Sequence, residues 1–338
     1  MYRSVEMVIP RNEENNALKT LDSLDVLNYN YSSISNSLSR FKIIAKQENT
    51  EKILETLQNQ FSSQDGFNIL VQNIDVYLPE PVAKKKEKFS SIYDIKKERI
   101  SREEIYRYIN GMTNLNSIYL LMVILSSLVA AVGVLNNNVA LIIGAMIIAP
   151  LMGPAIGLSY GIIMGDRNLV FMALKSSMVG ILIAFVISVF LGIILTVNPT
   201  IPSIITRTNV GHGGFIVALA SGFAGALAVT TELSSTLVGV MIGISLMPPL
   251  VTFGLLIGSG DYFLAWGAFL IFIVNLMCIY FASLLTFYKE GLKPLNKDKV
   301  ESVHKSSKRY IYIFLIILIV LFLVNIYQTK IWNIVVPS

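Results

Sequence analysis

Cysteine is almost missing from this 338-residue chain: Cys278 is the sole example, and it lies inside an apolar run. That count excludes a disulfide framework and a thiolate metal cluster alike. Histidine is nearly as scarce, with His212 and His304 far apart and flanked by no acidic partner. No metal and no other cofactor is therefore expected. Charge is thin as well, at 14% of residues against about 25% in soluble domains. With 54% hydrophobic residues, the composition excludes an ordinary soluble domain and indicates a polytopic membrane protein. A glycine-rich phosphate loop is absent, which argues against an ATP-driven pump. No pair such as His with Asp or Ser with Lys falls at membrane depth, so the chain is not expected to be an enzyme. The opening MYRSVEMVIPRNEE has no apolar core of a leader peptide, from which a cytoplasmic N-terminus in the cell membrane is expected.

What is present is unevenly spread. Residues 1 to about 110 hold most of the charge and no apolar run long enough to cross about 30 Å of hydrocarbon. VEMVIP alternates as a strand does, NEENNALKTLDSL has helical spacing, and NYSSIS and RFKIIA follow as two short strands. NTEKILETLQNQF, with Asn49 and Thr50 as candidate caps, predicts a second helix, and FNILVQNIDVYLP a closing strand. The order βαββαβ predicts a ferredoxin-like α+β cytoplasmic domain over residues 1–82. Nothing in it forms a catalytic constellation, and an assembly or regulatory role is the expectation.

Pro79 and Pro81 close that domain. A basic juxtamembrane linker and amphipathic helix follows at 83–112, with Ser101 and Glu104 spaced as a capping box. Lys84, Lys85, Lys86, Lys88, Lys96, Lys97 and Arg99 stand directly before an apolar span, where lysines mark the cytoplasmic side and meet anionic headgroups. No aromatic platform accompanies them, so nucleic acid is not an expected partner.

Seven apolar spans are read from residue 118 onward: about 118–135, 139–164, 171–197, 213–230, 233–257, 262–288 and 310–327. The loop at 165–168 and the basic loop at 289–309 then fall on the same side as the N-terminal domain, and the opposite side carries chiefly Arg207. Within the spans one sentence is written twice. IGAMIIAPLMGPAIGLSYGIIMGDRNL from Ile143 and VGVMIGISLMPPLVTFGLLIGSGDYFL from Val238 align without a gap at an offset of 95 residues. Gly144/Gly239, Met146/Met241, Met152/Met247, Pro154/Pro249, Gly165/Gly260 and Asp166/Asp261 are among the matches, and Ser126/Ser221 extends the register backwards. Shared hydrophobicity does not put Gly, Pro and Asp in register. The predicted fold is therefore a polytopic α-helical membrane protein of about seven spans: two inverted three-span repeats with proline-broken helices, at 113–197 and 213–288. An external connector (198–212) joins them, and a C-terminal helix and tail follow at 310–338.

The broken helices are where chemistry is expected. Pro150 and Pro154 in one copy, and Pro248 and Pro249 in the other, each remove a backbone donor and obstruct the carbonyl four residues earlier. Polar backbone freed at membrane depth must be buried in protein or line a hydrated cavity. Gly144, Gly153 and Gly239 give the backbone freedom a break needs; Met152, Ser245 and Met247 flank the prolines. Three polar side chains complete the candidate set: Asn137 and Glu232 at the mouths of the spans, and Asn275, which faces Gly180 through the repeat. Asp166 and Asp261 recur at matching helix ends and are read as caps; Lys175 either reaches the interface or pairs with Asp166.

The string Gly-Ala-Met-Ile-Ile-Ala-Pro-Leu-Met-Gly-Pro at 144–154, followed by a second Ser-Leu-Met-Pro-Pro at 245–249, resembles the domain of unknown function 389 family over about residues 115–290. The resemblance implies a membrane class and brings no activity, substrate or catalytic residue. From the residues alone, two functions stand. One is a secondary transporter or channel for a small ion or polar solute, embedded in the lipid bilayer as a homo-oligomer. The other is a membrane-anchored sensor or scaffold whose α+β domain binds a ligand or partner.

Overall fold

Period-two burial organises the first strands. Val5, Met7 and Ile9 on β1 (Tyr2–Pro10) and Phe41, Ile43 and Ala45 on β3 (Leu38–Lys46) are fully buried and point to one side of the sheet. Helices α1 (Glu14–Asp22) and α2 (Gln47–Phe61) cover that side with Ala17, Leu21, Ile53, Leu57 and Phe61. Each large buried side chain there contributes roughly 1.5–3 kcal/mol. With β2 (Asn28–Ser33) and β4 (Asn68–Ile74), the sheet runs β2-β3-β1-β4 and every neighbouring pair is antiparallel. Element order βαββαβ is the order read from the sequence, and this strand order is that of a split βαβ sandwich. The caps differ from expectation. Helix α2 begins at Gln47, two residues before Asn49; Asn49 bonds the Asp25 carboxylate at 2.8 Å, and Thr50 bonds back to the Lys46 carbonyl at 3.1 Å.

This computed structural model describes residues 2–74, 101–208, 212–231, 235–294 and 300–335; at 212–213, 235–245 and 329–335 the helical backbone alone is described. Contacts divide the chain into two compact units, Met1–Ile105 and Tyr106–Ser338. Pro79, Pro81, the basic run from Lys84 to Arg99 and Glu232 lie outside the described residues. At the start of α3 (Arg102–Thr113), Ser101 and Glu104 form the expected capping box: the Ser101 amide donates to Glu104 at 3.0 Å, and the Glu104 amide to the Ser101 hydroxyl at 3.4 Å.

The second unit is helical: α4 (Ser117–Leu135), α5 (Val139–Ile148), α6 (Met152–Met164), α7 (Arg167–Ile194), the short α8 (Pro202–Ile205), α9 (His212–Thr230), α10 (Ser235–Ser259), α11 (Tyr262–Lys289) and α12 (Val300–Val335). Among the described residues, α4, α7, α11 and α12 are each long and apolar enough to cross a membrane. Helices α5 and α6, bent by 48°, pass as a fifth when taken together. Helix α12 begins at Val300, so the expected 289–309 loop is partly helical.

Side chains here are sorted in the reverse of a soluble helix. Helix α7 buries Ser176, Ser177, Gly180, Ala184, Ser188 and Gly192 while exposing Phe171, Met178, Leu182, Phe190 and Ile193, each at least 60% accessible. Small and hydroxylated residues inside with large apolar ones outside suit a hydrocarbon solvent, where close backbone approach replaces the hydrophobic effect.

The two copies of the repeated sentence end alike. After α6, Gly165 is left-handed at φ +65° and the Asp166 amide reaches the Gly161 carbonyl at 3.0 Å; after α10, Gly260 has φ +90° and the Asp261 amide reaches Leu256 at 2.9 Å. They differ at the prolines. Helix α10 continues through Pro248 and Pro249, so the expected second break is not there. Its later turns are clamped on α7 without space for a side chain: a Cβ on Gly258 would lie 2.8 Å from Gly192 Cα, and one on Gly254 3.0 Å from the Phe185 carbonyl.

Candidate functional site

The real interruption is Ala149–Leu151, between α5 and α6. Pro150 sits in the gap and cannot donate to the preceding turn, and Ala149 closes α5 with a bond to Ala145 at 3.1 Å. Pro154 has a milder role than the sequence implies: it falls in the first turn of α6, where its missing N–H would have no intrahelical partner anyway. The last carbonyls of α5 and the amides of Met152 and Gly153 are thus left over inside a bent helix pair that is, taken together, long and apolar enough to cross a membrane. Ala149, Leu151 and Met152 are buried, and eleven of the thirteen residues of α6 are buried too.

Several partners close around this break. A Cβ on Gly153 would lie 2.7 Å from the Met112 carbonyl carbon, and Gly157 abuts the Thr113 side chain, so glycine is what lets the end of α3 touch α6. Thr113 Oγ1 donates to the carbonyls of Ile109 at 2.7 Å and Gly153 at 3.2 Å. The Thr113 carbonyl accepts from Ser176 Oγ at 2.7 Å, and the Ser176 carbonyl from the Tyr119 hydroxyl at 2.8 Å. This buried chain joins α3, α6, α7 and α4. One turn further along α6, Ser159 Oγ donates to the Tyr280 carbonyl at 3.2 Å and accepts from Ser283 Oγ at 2.8 Å, tying α6 to α11. Tyr160 meets the Phe287 ring edge-on at 5.5 Å between centroids.

At the end of α6, Asp166 caps α7 by accepting from the amides of Asn168 at 2.9 Å and Leu169 at 3.1 Å. Its other oxygen accepts from the Tyr106 hydroxyl at 2.7 Å, so the partner of Asp166 is a tyrosine of α3 and not Lys175, which the sequence offered as one of two readings. That hydrogen bond, with burial and the nearby charge, pushes the Tyr106 phenol up to about 12. Asp261 departs from its counterpart: its side chain makes no cap and accepts from Ser259 Oγ at 2.9 Å.

The sequence-derived candidates distribute as follows. Pro150, Met152, Gly153 and Pro154 gather at the break. Met247, Pro248 and Pro249 are buried on α10, which packs against both α5 and α6. Gly144 lies on α5 with nothing among the described residues within 4 Å of where its Cβ would be. Asn275 is buried on α11. The backbone of Gly239 and Ser245 belongs to α10, and their surroundings lie outside the described residues, as does Glu232. Asn137 is in the left-handed region at φ +51°, and its side-chain oxygen accepts from the Ser203 amide at 3.1 Å and hydroxyl at 2.6 Å. It holds α8 rather than standing free at a mouth. Thr113, Tyr119, Ser159, Ser176 and Ser283 were not singled out by sequence, because an isolated hydroxyl in an apolar run carries no local signature. Ser188 and Ser283, however, obey the 95-residue offset, and that register could have flagged them.

An uncharacterized protein of Methanocaldococcus jannaschii is 32% identical to this chain over 292 residues, covering 86% of this chain and 89% of the relative. No solved structure matches it significantly. Residues 146–281, from the last turn of α5 to the later half of α11, match a family described as a domain of unknown function, DUF389. The break at Ala149–Leu151 falls inside that stretch, and the chain belongs to the DUF389 family.

Proposed function

We propose that the protein is a membrane transport protein, a secondary transporter or channel, that moves a small ion or polar solute through a central site between two inverted three-span repeats. In this reading α4, α5–α6 and α7 form one repeat, α9, α10 and α11 the other, and α12 is a seventh span. The site lies between the α5–α6 break and Met247–Pro249, with the N-terminal domain in the cytoplasm and the chain assembled as a homo-oligomer in the cell membrane.

The observation that carries the reading is the interruption of a buried span at Ala149–Leu151. Unpaired backbone at that depth is tolerated where it is enclosed by protein or faces a hydrated path. A pattern of exchanged contacts supports the two-fold relation. Ser188 abuts Gly254, and their partners at the 95-residue offset, Ser283 and Ser159, are hydrogen-bonded at 2.8 Å. The Phe185 carbonyl faces Gly254 as the Tyr280 carbonyl faces Ser159, and Gly192 packs on Leu255 as Phe287 packs on Tyr160. Contacts of residue i with j that recur between their mates with roles swapped are what a two-fold axis produces. Three spans per repeat make that axis lie in the membrane plane, provided the 198–212 connector stays on one side.

Purified protein in liposomes, assayed for flux of protons, Na⁺, K⁺ and common anions under imposed gradients, tests the proposal. Flux that falls in Pro150→Ala and Pro249→Ala is the expected result; absence of any protein-dependent flux refutes it.

A further inference from the structure

Asn137, Ser203, Thr206 and Arg207 form a cluster of hydrogen-bond donors where the α4–α5 turn meets α8. Arg207 sends one guanidinium nitrogen to the Ser203 carbonyl at 2.6 Å and to the Thr206 hydroxyl at 3.4 Å. Ser203, itself 4% exposed, is fixed by Asn137 through its amide and hydroxyl. A backbone N–H donating to Asn137 requires the side-chain oxygen at that position, so the orientation of the amide is determined and its NH₂ is left to point elsewhere.

What the cluster lacks is an acceptor of opposite charge. Among the described residues, no carboxylate lies within ion-pair distance of Arg207, and Asp261 on the α10–α11 turn is engaged with Ser259. The remaining edge of the guanidinium and the Asn137 NH₂ make no hydrogen bond among the described residues. A half-buried cation in an apolar protein ordinarily has a counter-ion. Desolvation by burial also pulls the Arg207 guanidinium below the ordinary arginine range, a sign of its partial removal from water.

The repeat says where this cluster stands. Adding the offset of 95 to Met112 and Thr113, which close on the break from α3, gives Arg207 and Thr208. Thr113 is pinned through its carbonyl to α7; the Thr208 carbonyl abuts Gly267 on α11, the mate of α7. The segment before α9 therefore occupies, against the second repeat, the position α3 holds against the first. There the methionine is exchanged for an arginine.

We propose that Arg207 and Asn137 bind a small inorganic oxyanion at the end of the helical unit that carries the α4–α5 turn and α8. This cluster is then the entry site for an anionic solute. The guanidinium fork matches two oxygens of a tetrahedral or planar oxyanion, and the amide NH₂ supplies a third donor. As a binding site it stands on the geometry of the cluster; as a statement of solute class it rests on the transport reading.

Equilibrium dialysis of the full-length protein in detergent with radiolabelled phosphate and sulfate measures the binding directly. Saturable binding of one of them is expected, weakened roughly tenfold or more in Arg207→Gln. It should be intermediate in Arg207→Lys, which keeps the charge and loses the fork. Asn137→Asp is the second variant, because aspartate keeps the acceptor for Ser203, tolerates a left-handed backbone and replaces the donor by a negative charge. Its binding should fall while its anion-free melting temperature stays near that of the parent. Absence of oxyanion binding in the parent, or equal affinity in parent and Arg207→Gln, overturns the proposal. Liposomes that pass cations but no oxyanion overturn the solute class and leave transport standing. Arg207-dependent binding without flux of any solute retains the site and refutes transport.

Discussion

Gly144 and Gly153 stand in one short motif, and alanine should act on them with opposite sign. At Gly153 the new Cβ would lie 2.7 Å from the Met112 carbonyl carbon and the same distance from Met112 Cβ; backbone on one side means that α3 and α6 must separate. Overpacking of that kind costs about 1–3 kcal/mol, and removing a helical glycine returns at most about 1 kcal/mol. A net loss of about 1–2 kcal/mol follows, and for a unit of this size each kcal/mol moves the midpoint by roughly 2–4 °C. Among the described residues Gly144 has nothing within 4 Å of its Cβ position, so only the helix term remains, and Gly144→Ala should gain up to about 1 kcal/mol. Intrinsic-fluorescence melting in detergent, at one scan rate because unfolding of membrane proteins is often irreversible, reads both variants. A Gly153→Ala protein as stable as the parent, or two shifts of the same sign, would sink the assignment of α3 as a close-packed partner of the break.

Further outcomes follow from individual contacts. Tyr106→Phe removes the bond to Asp166 and should cost roughly 1–2 kcal/mol. Because the folded phenol is raised to about 12 from the ordinary 10.0, the stability it confers is complete below pH 10 and lost as pH rises toward 12. Alkaline melting curves of the parent should therefore fall more steeply than those of the phenylalanine variant, and parallel curves would contradict the geometry. Ser159→Ala and Ser283→Ala, combined in a double-mutant cycle, should show coupling of about 0.5–2 kcal/mol, and additivity would count against the bond. Thr252 is fully buried and its hydroxyl has no partner among the described residues, so Thr252→Val should be neutral or stabilising in the same melts; a loss above about 1 kcal/mol would mean the hydroxyl is engaged. Cys278, buried against Ala218, Val274 and Leu318, should resist a water-soluble maleimide until the protein is denatured, and rapid labelling of the native protein would contradict its burial.

Periodicity and punctuation made much of this fold legible. The βαββαβ order, the Ser101–Glu104 box and the positions of the long apolar helices follow from local patterns that the structure keeps. Proline misled in one copy, because a proline's local effect is fixed while its outcome depends on neighbours. Pro150 coincides with a break, while helix α10 continues through Pro248 and Pro249. The same limit hid the hydroxyl chain from Thr113 to Tyr119, whose members lie as much as 63 residues apart and meet only through packing. Arg207 was legible as the one arginine in the stretch between two apolar segments. That no carboxylate pairs with it among the described residues was not, since that is a property of three-dimensional surroundings.

The paired Gly–Asp turns after α6 and α10 have a mechanical consequence. A left-handed glycine followed by one residue before the next helix leaves almost no slack, and α6 packs on α7 as α10 packs on α11. Each hairpin is thus a rigid fork whose two prongs translate and tilt together. At Gly260 no neighbour meets an added methyl, whereas at Gly165 the methyl would also strike Val303 of α12. Alanine at 260 therefore measures the stiffness of such a fork through backbone strain alone, at about 1–2 kcal/mol.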